Sequence, residues 1–457
     1  MHSKRIIGVI FSLLVLSTFS LKNTYSQEEI FSLGFQLGNG ARALAMGGAY
    51  SSIGGDYSAS LWNPAALANI KRTEVFGSLS HHMRQNTTSF GALNVENDAS
   101  FTKLNDFGMA YSVPTVQGSL VFSFGFNRVK TYDSNFAFEW FNDTQDDQVN
   151  QAWREFERGG LNQWTLAGAV DVSPNTSLGL ALNFWSGGTD FESTTRVVDI
   201  NNVYDSANPY VYRDPNDPQF EFVVSDFQSQ TVENNLNTEV TGFNLKGGAL
   251  FKIGPMLHLG ATISTPIKYR VEENFFTDTL LVYDDEFEES FPDEGVFEYR
   301  IRSPWTFTGG ASVHLLNFIF SGDVEYNDWA QIRYTTPTPF GSENEANRLI
   351  RERYRPTARL RLGGEFNLPL TGISFRAGYF RDPSILQNRP SEEDKQFFSG
   401  GIGFLVDKQV KLDVTYVHGF WKTFNTNLEV PGRDTDITQY VEDIKVNKVF
   451  VTVAFRL

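Results

Sequence analysis

The 457-residue chain carries 54 Asp and Glu against 38 Lys and Arg, a formal charge of −16, with no Cys and with 41 Phe, 17 Tyr and 8 Trp. This acidic balance argues against nucleic acid as a partner, because binding it calls for basic patches. The lack of Cys suits an oxidising envelope without reliance on disulfides.

In chain order, residues 1–26 read as a signal peptide. Lys4 and Arg5 form a positive start, Ile6 to Phe19 an apolar core, and Thr24-Tyr25-Ser26 a small-residue cleavage site. Loss of Lys4, Arg5 and Lys22 with no acid would move the charge from −16 to −19. No later stretch reaches the roughly 18 apolar residues of a helical span. A β-barrel stays open, since its strands need only about 9–11 residues of alternating character.

Residues 27–72 are rich in Gly, Ala and Ser and show no alternation, so they form a separate N-terminal segment. From Thr73 to Leu457 the chain turns to short alternating runs, about fourteen in all. The first seven are Phe76–His82, Asp106–Val113, Leu120–Arg128, Trp164–Val172, Ser177–Trp185, Thr241–Ile253 and Leu257–Tyr269. The rest are Arg300–His314, Asn317–Asp328, Ala358–Asn367, Ile373–Phe380, Phe397–Val406, Val410–Phe420 and Val446–Leu457.

Connections alternate in length. Pro114–Ser119, Ser173–Thr176, Gly254–Met256, Leu315–Leu316, Leu368–Gly372 and Asp407–Gln409 are short. Thr131–Asn162, Glu192–Asn237, Val271–Glu298, Trp329–Thr357 and Trp421–Lys445 are long and polar. Periplasmic turns and extracellular loops produce this asymmetry. The expected fold is therefore all-β, a transmembrane antiparallel up-and-down barrel of the bacterial outer membrane.

Alternation along Val449, Val451, Val453, Phe455 and Leu457 gives the last strand an apolar outer face. The same pattern turns Asp323, Glu325, Arg359, Arg361, Glu365 and Arg376 inward. Opposite charges on neighbouring strands brace register, and an Arg among them could also hold a carboxylate bidentately. In the loop 131–162, a short helix is expected to carry Trp153 and Phe156 on one face. Gly125 interrupts its strand and is a candidate bulge.

Other patterns carry less. Gly38-Asn39-Gly40-Ala41-Arg42-Ala43 fits a dinucleotide motif, but no strand precedes it. His81 and His82 face opposite sides of one strand and do not share a metal easily. The acids Asp284, Asp285, Glu286, Glu288 and Glu289 lack EF-hand spacing and read as a solvated loop. No nucleophile–base set appears, so neither an enzyme nor a cofactor or metal is expected.

Two motifs carry a family resemblance. Gly34-Phe35-Gln36-Leu37, then Gly47-Gly48-Ala49-Tyr50 and Trp62-Asn63-Pro64-Ala65-Ala66-Leu67, resemble the FadL/TodX family of outer-membrane transporters. Ser303-Pro304-Trp305 and the run Ser321–Trp329 resemble its paired strands with an Asp-Trp corner. The resemblance implies that residues 27–72 are a hatch plugging the barrel formed by 73–457. It implies that Asn63, Pro64 and Ala65 close that hatch, and that Phe35 and Leu37 lie near a ligand pocket. It places ligand capture at the loop holding Trp153 and Phe156, and a lateral gap at the third strand, near Gly125. The implied ligands are long-chain fatty acids or other hydrophobic molecules, moved passively. The expected surroundings are outer-membrane lipid and lipopolysaccharide, with the barrel-assembly machinery as a partner in biogenesis and a monomeric state. The alternative is a PorV-like barrel that serves protein secretion or surface attachment.

Overall fold

The computed structural model describes residues 38–90, 93–144, 147–205, 207–214, 217–338, 342–407, 409–426 and 439–457. The expected signal peptide, Phe35 and Leu37 lie outside them.

Alternating side chains make a sheet with one face for lipid and one for the interior, and closure removes its edges. Fourteen strands do this: β1 (Glu74–Phe90), β2 (Leu93–Val113), β3 (Leu120–Thr131), β4 (Asp147–Ser173), β5 (Thr176–Val198), β6 (Phe227–Ile253) and β7 (Leu257–Ser264) form the first half. The second half is β8 (Thr306–Leu315), β9 (Phe318–Asp328), β10 (Pro356–Leu368), β11 (Ile373–Asp382), β12 (Lys395–Val406), β13 (Val410–Thr426) and β14 (Gln439–Arg456). Each pairs antiparallel with the next, and β14 pairs with β1 from Arg456–Glu74 to Tyr440–Phe90, which closes the wall.

The two faces differ as alternation predicts. Phe320, Val324 and Tyr326 of β9 are exposed where lipid lies, while Ser321, Asp323 and Asn327 are buried. On β14, Phe450, Thr452 and Ala454 are buried and Phe455 is exposed. The short connections lie at one end, where Leu457 N–H donates to Thr73 O at 2.8 Å. Among the described residues no helix is long and apolar enough to cross a membrane.

At the other end the long connections are largely sheet, not irregular loop. β4 and β6 each run 27 residues, far beyond the 9–11 needed to cross, so their outer halves stand clear of the lipid. The expected helix carrying Trp153 and Phe156 does not form. Ser134–Thr144 pairs with β4 from Thr144–Asp147 to Ser134–Glu157, so both residues sit on a strand. Residues three apart on a strand face opposite sides.

The expected strands Leu257–Tyr269 and Arg300–His314 each divide, at Thr265-Pro266-Ile267 and Ser303-Pro304-Trp305. Pro266 and Pro304 have no N–H for the ladder. Beyond them, Lys268–Tyr283 and Glu288–Arg302 form a hairpin laid against the outer half of β6. An 11-residue helix, α1 (Glu343–Arg353), caps the same end and is capped in turn by the Ser342 hydroxyl.

Gly125 forms no bulge: it sits in unbroken register between Gly108 and Thr165. The irregularity in β3 lies further on, between Arg128 and Lys130. A Cβ at Gly125 would fall 2.0 Å from the Tyr57 hydroxyl, so this glycine makes room for the interior segment.

Candidate functional site

Residues 38–72 pack inside the barrel, and their sequence explains how they sit so close to the wall. Small residues dominate, and Ala41, Ala43, Ala45, Ala49, Ala59, Ala65 and Ala66 are essentially inaccessible. The wall answers with glycines. A Cβ at Gly179 would fall 2.4 Å from Ala65 N, and one at Gly248 2.1 Å from Asn63 Oδ1. Asn63 Nδ2 donates to Ser51 O (2.7 Å) and Ala249 O (3.0 Å), while its Oδ1 accepts from Ala65 N–H (3.0 Å). Pro64, which has no N–H to lose, starts the 3₁₀ turn Pro64–Asn69.

Charge fixes the segment to the second half of the barrel. Asp323 of β9 accepts from Tyr50 N–H (3.0 Å), Ser51 N–H (2.8 Å) and the Ser51 hydroxyl (2.9 Å). Arg42 binds Glu365 of β10 bidentately, at 2.8 and 2.9 Å. On the first half, Asp106 of β2 accepts from Gly40 N–H at 3.1 Å.

A ladder of ion pairs continues along the interior wall. Glu325 meets Arg359 at 2.8 Å and Arg361 at 3.0 Å, and Arg359 also meets Asp382 at 2.5 Å. Arg376 joins Glu365 (2.6 Å) to Asp413 (2.8 Å). The Arg361 guanidinium lies 5.4 Å from the centre of the Trp62 ring. Arg359 and Arg361 are thus both engaged with acids of the wall. A ligand carboxylate reaching either would compete with Glu325.

Other interior cations are less committed. Sequence alternation through Phe76, Ser78, Ser80 and His82 continues to Arg84, whose Nε is buried with no partner. Lys448 lies opposite His82 across the β14–β1 pairing and makes no hydrogen bond or ion pair among the described residues. Aromatic rings surround this stretch. His82 stands 5.1 Å from Phe101 and 6.0 Å from Phe450, and Phe397 lies 4.3 Å from Phe380 and 6.0 Å from Trp421. Alternation could have singled out Arg84, but following β1 only to His82 missed it.

Two features of the wall bear on access. The β2–β3 ladder ends at Asp106–Asn127, although β2 continues beside β1 for a further thirteen residues, Leu93 to Asn105. Beside that point Asn39 donates its side-chain amide to Asn127 Oδ1. At the outer end, a cleft of about 750 Å³ has a mixed lining, with Phe156, Phe191, Phe275 and Val296 beside Arg158, Asp190, Glu192 and Glu294. The Arg158 guanidinium covers Phe156 at 4.3 Å. Trp153 is not in this cleft, and packs edge-on against Phe136 at 5.9 Å.

A closed fourteen-strand antiparallel barrel with an apolar outer belt defines a β-barrel of the outer membrane. Residues 28–456 match the family model for outer membrane protein transport proteins (OMPP1/FadL/TodX), and the chain belongs to that family. Its fold is that of a Pseudomonas aeruginosa FadL homologue, with a TM-score of 0.60 and 13% identity over 93% of this chain and 99% of that one. The Pseudomonas putida toluene transporter TodX gives 0.61 and 13% over 93% and 99%. The monoaromatic hydrocarbon channel CymD gives 0.54 and 14% over 92% and 98%. No curated protein sequence matches the chain.

Proposed function

We propose that this barrel admits hydrophobic small molecules by passive diffusion, with long-chain fatty acids as the class best suited to its interior. Relatives of the same fold include a toluene transporter and a monoaromatic hydrocarbon channel, which supports the broad class. The observation that carries the narrower reading is the pairing of Arg84, whose Nε has no partner although Glu157 and Glu442 lie within electrostatic reach, and Lys448 with the rings of His82, Phe101, Phe397 and Phe450 on one stretch of interior wall. An acid-headed amphiphile uses both halves of such a site, whereas a neutral hydrocarbon uses only the rings. In this reading solute enters by the cleft at Phe156 and leaves beside the end of the β2–β3 ladder, with residues 38–72 as floor. The ion-paired Arg359 and Arg361 brace the wall and do not hold the ligand.

Equilibrium binding of oleate and of toluene to the purified barrel in mild detergent tests this. Arg84→Gln with Lys448→Gln should weaken oleate by roughly 10- to 100-fold, the worth of a charge-assisted hydrogen bond, and leave toluene unchanged. Equal effects on both solutes would overturn the fatty-acid reading. A barrel that binds neither solute but co-purifies with a stable cargo protein would overturn transport altogether.

A further inference from the structure

Along the seam where β14 closes onto β1, the interior chemistry changes in a fixed order. Inward positions recur at every second residue, about 7 Å apart. On β1 they are His82, Arg84, Asn86 and Thr88; on β14 they are Phe450, Lys448, Val446, Ile444 and Glu442, with Glu442 opposite Thr88. Going outward, rings come first, then cations, then an amide, a hydroxyl and an acid. Alternation from the buried Leu161, Gln163 and Thr165 turns Glu157 and Glu155 of β4 inward as well. Glu442 and Glu157 both act electrostatically on Arg84, and Glu155 feels Glu157 and Glu442. Three acids from two strands thus gather beside and beyond the arginine.

Orphaned atoms mark the same stretch. Asn86 is 8% exposed and Thr88 3%. The Asn86 amide donates to Glu442 at 2.7 Å, and the Thr423 hydroxyl donates to the same carboxylate at 2.7 Å. Yet Asn86 Oδ1, Thr88 Oγ1 and Arg84 Nε are buried without a partner. Buried polar groups are seldom left so, and each is costly until something bonds it. Two of these orphans need opposite things: Arg84 Nε is a donor and calls for an acceptor, while Asn86 Oδ1 is an acceptor and calls for a donor. A bare carboxylate serves only the first and is repelled by Glu442 and Glu157.

We propose that this stretch selects amphiphiles whose head carries an ammonium group one short spacer beyond its anion, as in a phosphoethanolamine lipid. The inference rests on the acid-headed reading given above and narrows it. The acyl chain lies against the rings of His82, Phe101 and Phe450, the phosphate meets Arg84 and Lys448, and the ammonium meets Asn86 Oδ1, Glu442 and Glu155. One inward step on β1 separates the two charges, the reach of a two-carbon spacer with a hydrogen bond at each end. Both signs of wall charge are then matched, and neither is left desolvated without a partner.

Two ligands that differ in one group test this: oleoyl-lysophosphatidylethanolamine, and the same lysophospholipid with an ethyl group in place of the aminoethyl group. Affinities of both, and of oleate, are measured for the full-length protein in mild detergent. A site built to bond a polar group rejects the analogue that lacks it. Wild type should therefore hold the ammonium ligand at least tenfold tighter than the ethyl one. Glu442→Gln with Glu155→Gln should bring that ratio near one, and Arg84→Gln should weaken both phospholipids. Equal affinities in wild type would overturn the proposal, as would a preference that survives the double substitution, and either result leaves oleate binding to stand by itself. Phospholipids that fail to bind would overturn it too, whatever oleate does. Loss of oleate binding alone counts against the acid-headed reading instead. Should a variant fail to fold, the wild-type ratio decides.

Discussion

Asp323→Ala removes the anchor that joins the interior segment to β9, and its effect follows from three hydrogen bonds. The carboxylate is 1% exposed and accepts two backbone N–H groups and one hydroxyl from Tyr50 and Ser51. Hydrogen bonds to a charged group contribute about 1.5–3 kcal/mol each, and orphaning a buried donor costs about 1–3 kcal/mol. Because the three share one acceptor they do not add fully. A loss of about 3–4 kcal/mol is therefore expected for local docking, or roughly 100- to 1,000-fold at about 1.4 kcal/mol per decade. Hydrogen exchange by mass spectrometry should show that loss of protection at residues 49–53, with the ladders of β1–β14 unchanged. Asp323→Asn, which keeps one acceptor oxygen, should fall between. Unchanged protection at Tyr50 and Ser51 would refute the anchor. A uniform loss across the wall would refute its local nature.

Other expectations follow from single contacts. Asn63→Ala deletes two donations and one acceptance, and should lower docking stability by about 2–4 kcal/mol, read as faster exchange at Ala65 and Ser51. Gly125→Val places a Cβ against the Tyr57 hydroxyl and the Phe107 carbonyl. It should lower the temperature at which the barrel loses its compact mobility in unboiled gels, with partial recovery in the Tyr57→Phe background. Glu155 lies on β4 beyond the lipid belt, where burial and the charges of Glu157 and Glu442 push its carboxyl up to about 7. Its folded pKa exceeds the unfolded value of 4.5. Its contribution is therefore full below that value and fades as pH rises through about 7. Protection of residues 147–158, corrected for the intrinsic pH dependence of exchange, should fall from pH 5 to pH 8, and Glu155→Gln should flatten that profile.

Much of the wall was legible because lipid imposes a strict rule on alternate residues. Leu166, Leu180, Phe320 and Leu362 face outward, and Thr165, Ala181, Ser321 and Arg361 inward, as their spacing predicts. Beyond the lipid both faces of a strand meet water, so alternation loses contrast. That is why Asp147–Gly160 was expected to be loop and helix but is strand. Inward-facing Asp323 and Arg361 could be read, yet two of the three donors to Asp323 are backbone N–H groups, which leave no mark in a sequence. Gly125 was misread for a related reason, since a glycine that admits a ring looks the same as one that bends a strand.

The anchors of the interior segment lie far along the chain. Tyr50 and Ser51 wait for Asp323, 273 and 272 residues later, and Ala41 O accepts from Thr415, 374 residues later. The segment is made first but cannot dock until nearly every strand exists. Its contacts with β9 and β13 therefore wait for the second half of the barrel. A chain truncated before β9 would lack the Asp323 anchor altogether and leave Tyr50 and Ser51 without their acceptor.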